Sequence, residues 1–257
     1  MTPLYDDDTP AAIDFHWNDG APAGTPVVLC FPGGGYQMLS VEKEGLTPAR
    51  LANAAGFHAA VVHYRLGPDH HHPAQLRDAA RAVRLTRRAL RERGDADAPV
   101  ALLGFSAGGH LAGSLACLHH DPVINTTNDP HTDISARPEA LLMAYPVTHL
   151  HGPLAHAGSR IHLLGDDPES ADLLRLNLPD AVGPQVPPTF LFHTAADPYV
   201  VAANTLDFAA ACLRHHVPVD VCLTAHGGHG LGCEPDIPGA DAWFDTAMAW
   251  LRRTLIT

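Results

Sequence analysis

The chain has 257 residues, 46% hydrophobic and 17% charged, which is enough apolar side chain to close a substantial core and excludes a mostly disordered chain. Sixteen basic against 28 acidic side chains give a formal net charge of −12, which argues against a nucleic-acid surface and against an anionic membrane as partner. No apolar run reaches the roughly 20 residues that cross a bilayer. Residues 1–10, with Asp6, Asp7 and Asp8, lack the basic and apolar regions of a secretory signal.

In chain order, strand and helix alternate almost throughout. Residues 26–31 (PVVLCF) form a short continuous apolar run, as in a strand buried on both faces. Gly33, Gly34 and Gly35 follow. Residues 47–55 read as a helix with Thr47 as N-cap and Pro48 at its first position, closed by Gly56. Residues 57–64 are the next strand and 73–93 a long helix. On that helix Arg77, Arg81, Arg84, Arg88 and Arg91 recur at steps of three and four and share one face, read as solvated. Leu76, Ala80, Val83 and Leu90 face the core.

Residues 99–105 are a strand, 106–118 a small-residue helix and 140–145 a strand. Residues 146–188 are irregular, with one short helix near 169–176, and are expected to be an insertion forming part of the wall over the site. A strand (189–194), a helix (202–215), a strand (218–224) and a closing helix (241–255) complete the chain. The expected architecture is α/β: a single domain with a mostly parallel central sheet and helices on both faces. Ligand sites in such sheets lie at the carboxyl ends of the strands.

Three of those ends carry unusual residues. Gly104-Phe105-Ser106-Ala107-Gly108 is a G-x-S-x-G between strand and helix, the setting in which a sharp turn exposes a nucleophilic serine. Asp197 lies just past strand 189–194, where a carboxylate can fix the tautomer of an imidazole. His229 follows the last strand between glycines that let its loop bend back. The order Ser106, Asp197, His229 assigns nucleophile, acid and base, with His226 the rival base and Asp236 and Asp241 the rival acids. An oxyanion needs backbone N–H donors. Ala107 supplies one, and the loop Phe31-Pro32-Gly33-Gly34-Gly35-Tyr36 supplies others. A phosphate-binding turn does not fit that loop, which has neither GxGxxG nor GxxxxGK[ST].

On these motifs the chain resembles α/β-hydrolase esterases of the hormone-sensitive-lipase-like and bacterial acetylxylan-esterase-like groups. Their oxyanion loop reads His-Gly-Gly-Gly or His-Pro-Gly-Gly-Gly, and Phe31 stands here in place of the leading His. Tyr64-Arg65-Leu66-Gly67-Pro68, His72-Pro73-Ala74 and Asp78-Ala79 resemble the family's tyrosine-arginine stretch and following helix. Ser159-Arg160, Leu163-Leu164-Gly165, residues 187–194 and Gly228-His229-Gly230 resemble the carbohydrate-esterase branch. The resemblance implies Ser106, His229 and Asp197 as the catalytic triad, and Gly34, Gly35 and Ala107 as oxyanion donors.

The resemblance also implies a substrate, an acetyl ester of a sugar such as xylose or a xylo-oligosaccharide. The few large apolar residues of 146–188 point the same way, to a short acyl group. A kynurenine-formamidase-like amidase, a general short-chain carboxylesterase and an inactive binding module are the alternatives. Tyr36 and Tyr199 are the substrate-binding candidates, beside the loop and the acid. Among the inserted residues His149, His151, His156 and His162 remain open as hydroxyl binders. No cofactor or metal is expected: His70-His71-His72 and His119-His120 are read as surface loops, because adjacent histidines point in different directions. The five scattered cysteines, with no CxxC, read as buried thiols of a reducing compartment, so the expected setting is cytoplasmic. The expected partner is a small-molecule ester, with no nucleic acid or membrane, and a homo-oligomer is left open.

Overall fold

The computed structural model describes residues 1–125, 129–233, 236–237 and 240–256. Its eight strands are β1 (Thr2–Pro3), β2 (Ala12–His16), β3 (Val27–Phe31), β4 (His58–His63), β5 (Val100–Phe105), β6 (Ala140–Ala144), β7 (Thr189–Thr194) and β8 (Val219–Thr224). They form one sheet in the order β1-β2-β4-β3-β5-β6-β7-β8. The β1–β2 and β2–β4 pairs are antiparallel and every pair from β4 to β8 is parallel.

The inner parallel strands β3, β5, β6 and β7 read as mostly apolar runs because both faces are covered, whereas the edge strand β8 is partly exposed. Every residue of β3, β5, β6 and β7 is buried. One face packs α2 (Ala74–Glu92), α3 (Ala107–Leu118) and α7 (Ala203–Arg214), through Leu76, Val83, Leu111, Leu115 and Phe208. The other packs α1 (Thr47–Ala54) and α8 (Trp243–Leu255), through Ala49, Ala52, Trp243, Ala247 and Leu251. The alternation expected from the sequence is the architecture observed. The strands β1 and β2 were not foreseen: they are short and antiparallel, β1 exposed and β2 only partly buried, so no continuous apolar run marks them.

Three local expectations are corrected. Thr47 is not an N-cap, because the chain is already helical: a π-helical turn (Glu42–Leu46) runs directly into α1, and the Thr47 amide donates to the Glu42 carbonyl. The arginine face of α2 is not uniformly solvated. Arg81 and Arg84 are buried and both pair with Asp129, Arg84 at 2.7 Å. Arg84 also reaches Asn125 and the Ile134 carbonyl, so Asn125, Asp129 and Ile134 cover this part of the helix. The segment 146–188 contains three short helices rather than one: α4 (Ala157–Leu164), α5 (Ser170–Arg175) and α6 (Leu178–Ala181). Its Leu163, Leu176, Leu178 and Val182 join the core on the α3 face. Among the described residues no helix is long and apolar enough to cross a membrane.

Candidate active site

The β5–α3 junction is a sharp turn. Ser106 has φ 52° and ψ −118°, a conformation that L-residues adopt only under constraint. The constraint is packing. A Cβ on Gly104 would lie 2.3 Å from the Gly108 carbonyl oxygen, and one on Gly108 would lie 2.1 Å from the Phe31 carbonyl oxygen. Glycine is therefore required at both flanks. The Ser106 amide donates to the Ala144 carbonyl at 3.0 Å, tying the turn to the neighbouring strand.

The structure brings Ser106, His229 and Asp197 together from three distant stretches. Ser106 Oγ lies 2.8 Å from His229 Nε2, and His229 Nδ1 lies 2.6 Å from Asp197 Oδ2. Nδ1 donates to the carboxylate, which leaves Nε2 to accept the serine proton. The other carboxylate oxygen, Oδ1, accepts the amides of Tyr199 at 2.9 Å and Val200 at 3.0 Å. A second imidazole, His193, puts Nε2 3.3 Å from Oδ2 and 2.8 Å from the Val200 carbonyl. Its Nδ1 accepts from the Thr205 hydroxyl at 2.7 Å. Burial alone would raise the pKa of Asp197, but hydrogen bonds from His193, His229 and the two amides overcome it and hold the carboxyl well below the usual carboxylate range. Of the rivals, His226, Asp236 and Asp241 are all exposed, and the imidazole and carboxylate in series with Ser106 are those of His229 and Asp197.

The loop after β3 lies beside the serine. Gly34 and Gly35 both have positive φ, 133° and 64°. Among the described residues the amides of Gly34, Gly35 and Ala107 have no protein acceptor. The Gly33 amide is occupied, donating to Glu44 Oε2 at 2.9 Å. The Tyr64 hydroxyl holds the Pro32 carbonyl at 2.6 Å, while Arg65 beside it pairs with Asp78 at 2.6 Å. The tyrosine-arginine stretch thus braces the loop from beneath.

A cleft of about 430 Å³ opens over these groups. Its walls include Gly34, Gly35, Ser106 and His229, together with Met38, Ser40, Lys43, Glu44, His156 and Tyr199. Tyr199 is on the wall as expected, 74% exposed, its ring edge-on to His229 at 6.4 Å. Tyr36 is corrected. A positive φ of 61° turns its ring into the core, where it is fully buried and its hydroxyl meets His110 Nδ1 at 2.7 Å. His110 Nε2 faces the Leu176 carbonyl at 2.8 Å. Burial pushes this histidine down to about 4, so it is neutral at pH 7.

Of the four histidines in the inserted segment, His156 reaches the cleft. Its Nδ1 accepts the Ser159 amide and caps α4, so the ring proton sits on Nε2. Burial and the neighbouring His229 lower its pKa, which keeps it neutral. His162 contacts the loop instead, with Nδ1 3.1 Å from the Gly35 carbonyl. Sequence reasoning missed Glu44 and Lys43, because a charged stretch such as Glu42-Lys43-Glu44 looks like solvated surface. Among the described residues no three His, Cys, Asp or Glu side chains are grouped to hold a metal ion.

A family model described as BD-FAE matches residues 13–212. An endo-1,4-beta-xylanase B of Butyrivibrio fibrisolvens is 34% identical over 209 residues, 79% of this chain and 32% of that protein. An acetylxylan esterase of Xylanibacter ruminicola is 27% identical over 215 residues, 82% of this chain and 42% of its own. The chain therefore spans less than half the length of these two curated relatives. Among solved structures, an acetyl ester-xyloside bifunctional hydrolase from Caldicellulosiruptor lactoaceticus superposes with a TM-score of 0.88 at 33% identity, covering 98% of this chain and 95% of the other. On the family match across most of its length and on the observed sheet order, the chain belongs to the BD-FAE family of α/β hydrolases.

Proposed function

We propose that this protein is a serine esterase that hydrolyses short-chain, chiefly acetyl, esters of carbohydrates. The observation that carries the proposal is the unbroken hydrogen-bonded series Ser106–His229–Asp197 beside two glycine amides free to receive an oxyanion. His229 takes the Ser106 proton as Oγ attacks the ester carbonyl. The developing oxyanion is met by the amides of Ala107 and of Gly34 or Gly35. His229 then protonates the leaving alcohol, and water, deprotonated by the same imidazole, releases the acid from the acyl-serine. Asp197, ionised throughout, holds the ring in the required tautomer.

Cleft chemistry supports the short acyl group. Among the described residues Met38 and Tyr199 are the only large apolar side chains on the walls, which suits a short chain better than a long one. Ser40, Lys43 and the Nε2–H of His156 offer polar contacts instead, which suits a hydroxylated alcohol. The sugar part of the proposal draws on the names of the relatives. The test is an acyl-length and alcohol series with Ser106→Ala as control. Acetate and acetylated xylosides are hydrolysed faster than butyrate or octanoate, and Ser106→Ala is inactive. Octanoate turned over faster than acetate, or a formyl amide faster than either, would contradict the proposal.

A further inference from the structure

Among the described residues Glu44 is the one buried carboxylate on the wall of the cleft, 4% exposed. Its neighbours Glu42 and Lys43 are solvent-exposed. The local cause is the π-helical turn Glu42–Leu46, in which an extra residue per turn swings one side chain out of the ordinary helical register. Such turns are rare and cluster at functional sites. Here the turn carries Glu44 inward.

Both carboxylate oxygens are engaged. Oε2 accepts the Gly33 amide at 2.9 Å and Oε1 accepts the Tyr145 hydroxyl at 2.8 Å. The Tyr145 oxygen in turn accepts the Gly232 amide at 2.9 Å, and the Tyr145 ring stands edge-on to the His229 ring at 5.1 Å. A Cβ on Gly33 would lie 2.7 Å from Glu44 Oε2 and 2.9 Å from Ser106 Cβ, so carboxylate, loop and nucleophile are packed to within a methyl group of one another. The loop needs such an anchor. Phe31, standing where the resembled loop has histidine, is fully buried and offers no polar side-chain atom.

Burial raises the pKa of Glu44, against the pull of the Tyr145 and Gly33 hydrogen bonds and of His229 and Lys43. An anion so placed is costly to desolvate, and an apolar side chain of similar size would pack there at less cost. Stability alone does not account for it.

We propose, resting on the esterase reading above, that Glu44 is a positioning residue: its carboxylate fixes the Gly33–Gly35 loop against Ser106 and, through Tyr145, fixes the loop that carries His229. With the Gly33 amide held by the carboxylate, the next two amides are left aimed into the cleft. Glutamine cannot reproduce this, because Gly33 N–H and Tyr145 O–H are both donors and a side-chain amide presents only one acceptor oxygen to the pair.

The test is Glu44→Gln in the full chain, with Tyr145→Phe as a second variant that keeps the Gly33 bond. Three quantities are read: kcat and KM for p-nitrophenyl acetate, the inhibition constant of an arylboronic acid that forms a tetrahedral adduct on serine, and the melting temperature. Glu44→Gln lowers kcat by about 10- to 100-fold, less than the roughly 10²- to 10³-fold cost of removing an oxyanion donor outright because the amides are displaced and not deleted, and leaves KM within about twofold. Boronate affinity falls by the same factor as kcat, because both report the tetrahedral state. Tyr145→Phe loses the hydroxyl's bonds to Glu44 and from Gly232 but keeps the Gly33 bond, and lowers kcat less, by about 3- to 10-fold. A purely structural role would shift the melting temperature and leave kcat and boronate affinity of the folded protein unchanged. That result, in either variant that folds, overturns the proposal. Wild-type protein that neither hydrolyses the ester nor binds the boronate overturns the esterase reading itself.

Discussion

The rim at the carboxyl ends of β5, β7 and β8 and the buried face of α2 both gather charged and polar side chains, but to different ends. At the rim, Asp197 is paired to imidazoles and amides, yet its partner His229 still reaches the open cleft and Ser106. On α2, Asp129 is enclosed by Arg81 and Arg84, which also line surface pockets of about 190 and 350 Å³ respectively. One arrangement ends in a hydroxyl hydrogen-bonded to an imidazole and the other in guanidinium groups paired to a carboxylate. A buried charge network beside a cavity therefore points to catalysis only where its last member is a group that can be activated as a nucleophile.

Breaking the rim carries the largest expected effects. Ser106→Ala, His229→Ala and the double variant each lose about 10⁶-fold in kcat, and the double variant loses no more than either single one, because the two groups act as a unit. Additive losses, read from ester turnover, would contradict that. Asp197→Asn leaves the side-chain shape but permits the wrong imidazole tautomer, and costs about 10⁴-fold.

The same carboxylate gives a pH signature. Its folded-state pKa lies below the unfolded value of about 3.9, so its ionisation adds stability above that value, and the gain is lost as pH falls through it toward the folded pKa. The melting temperature of Asp197→Asn therefore declines less steeply than that of wild type between about pH 4 and pH 2. Parallel curves would contradict the depressed pKa.

Two arginines on α2 sharpen the other half of the comparison. Arg84 is 3% exposed, and Arg84→Ala strands part of the Asp129 charge. The expected cost is about 3 kcal/mol in urea unfolding, with Arg81 still facing the carboxylate. Arg88 pairs with Glu92 at 2.8 Å with side chains 52% and 62% exposed. Arg88→Ala costs about 0.3–0.5 kcal/mol. Neither change alters kcat. Equal costs would show that the arginine face is not divided as described.

What could be read from the sequence follows from how local each determinant is. The sharp strand-to-helix turn at Ser106 was legible because strand, G-x-S-x-G and small-residue helix are contiguous, although the steric need for glycine at 108 comes from the Phe31 carbonyl on a neighbouring strand. Asp197 and His229 were legible from their places after strands in a parallel sheet. The arginine face was misread because the residues that meet it, Asn125, Asp129 and Ile134, carry no marker of where they will lie. Tyr36 was misread because a positive φ at that residue, invisible in the sequence, reverses its direction. Glu44 was missed because the π-helical turn that rotates it inward leaves no periodic trace. Gly33 records its position, but only once the loop and Ser106 are seen side by side.

The central claim is that Ser106 is the group activated at this rim. Reaction with a fluorophosphonate, with the adduct located by peptide mass spectrometry, tests it most directly. The account predicts a single adduct on Ser106, formed in step with loss of esterase activity and slowed by orders of magnitude in His229→Ala. An adduct on another residue, or ester turnover that persists once Ser106 is fully modified, would contradict it.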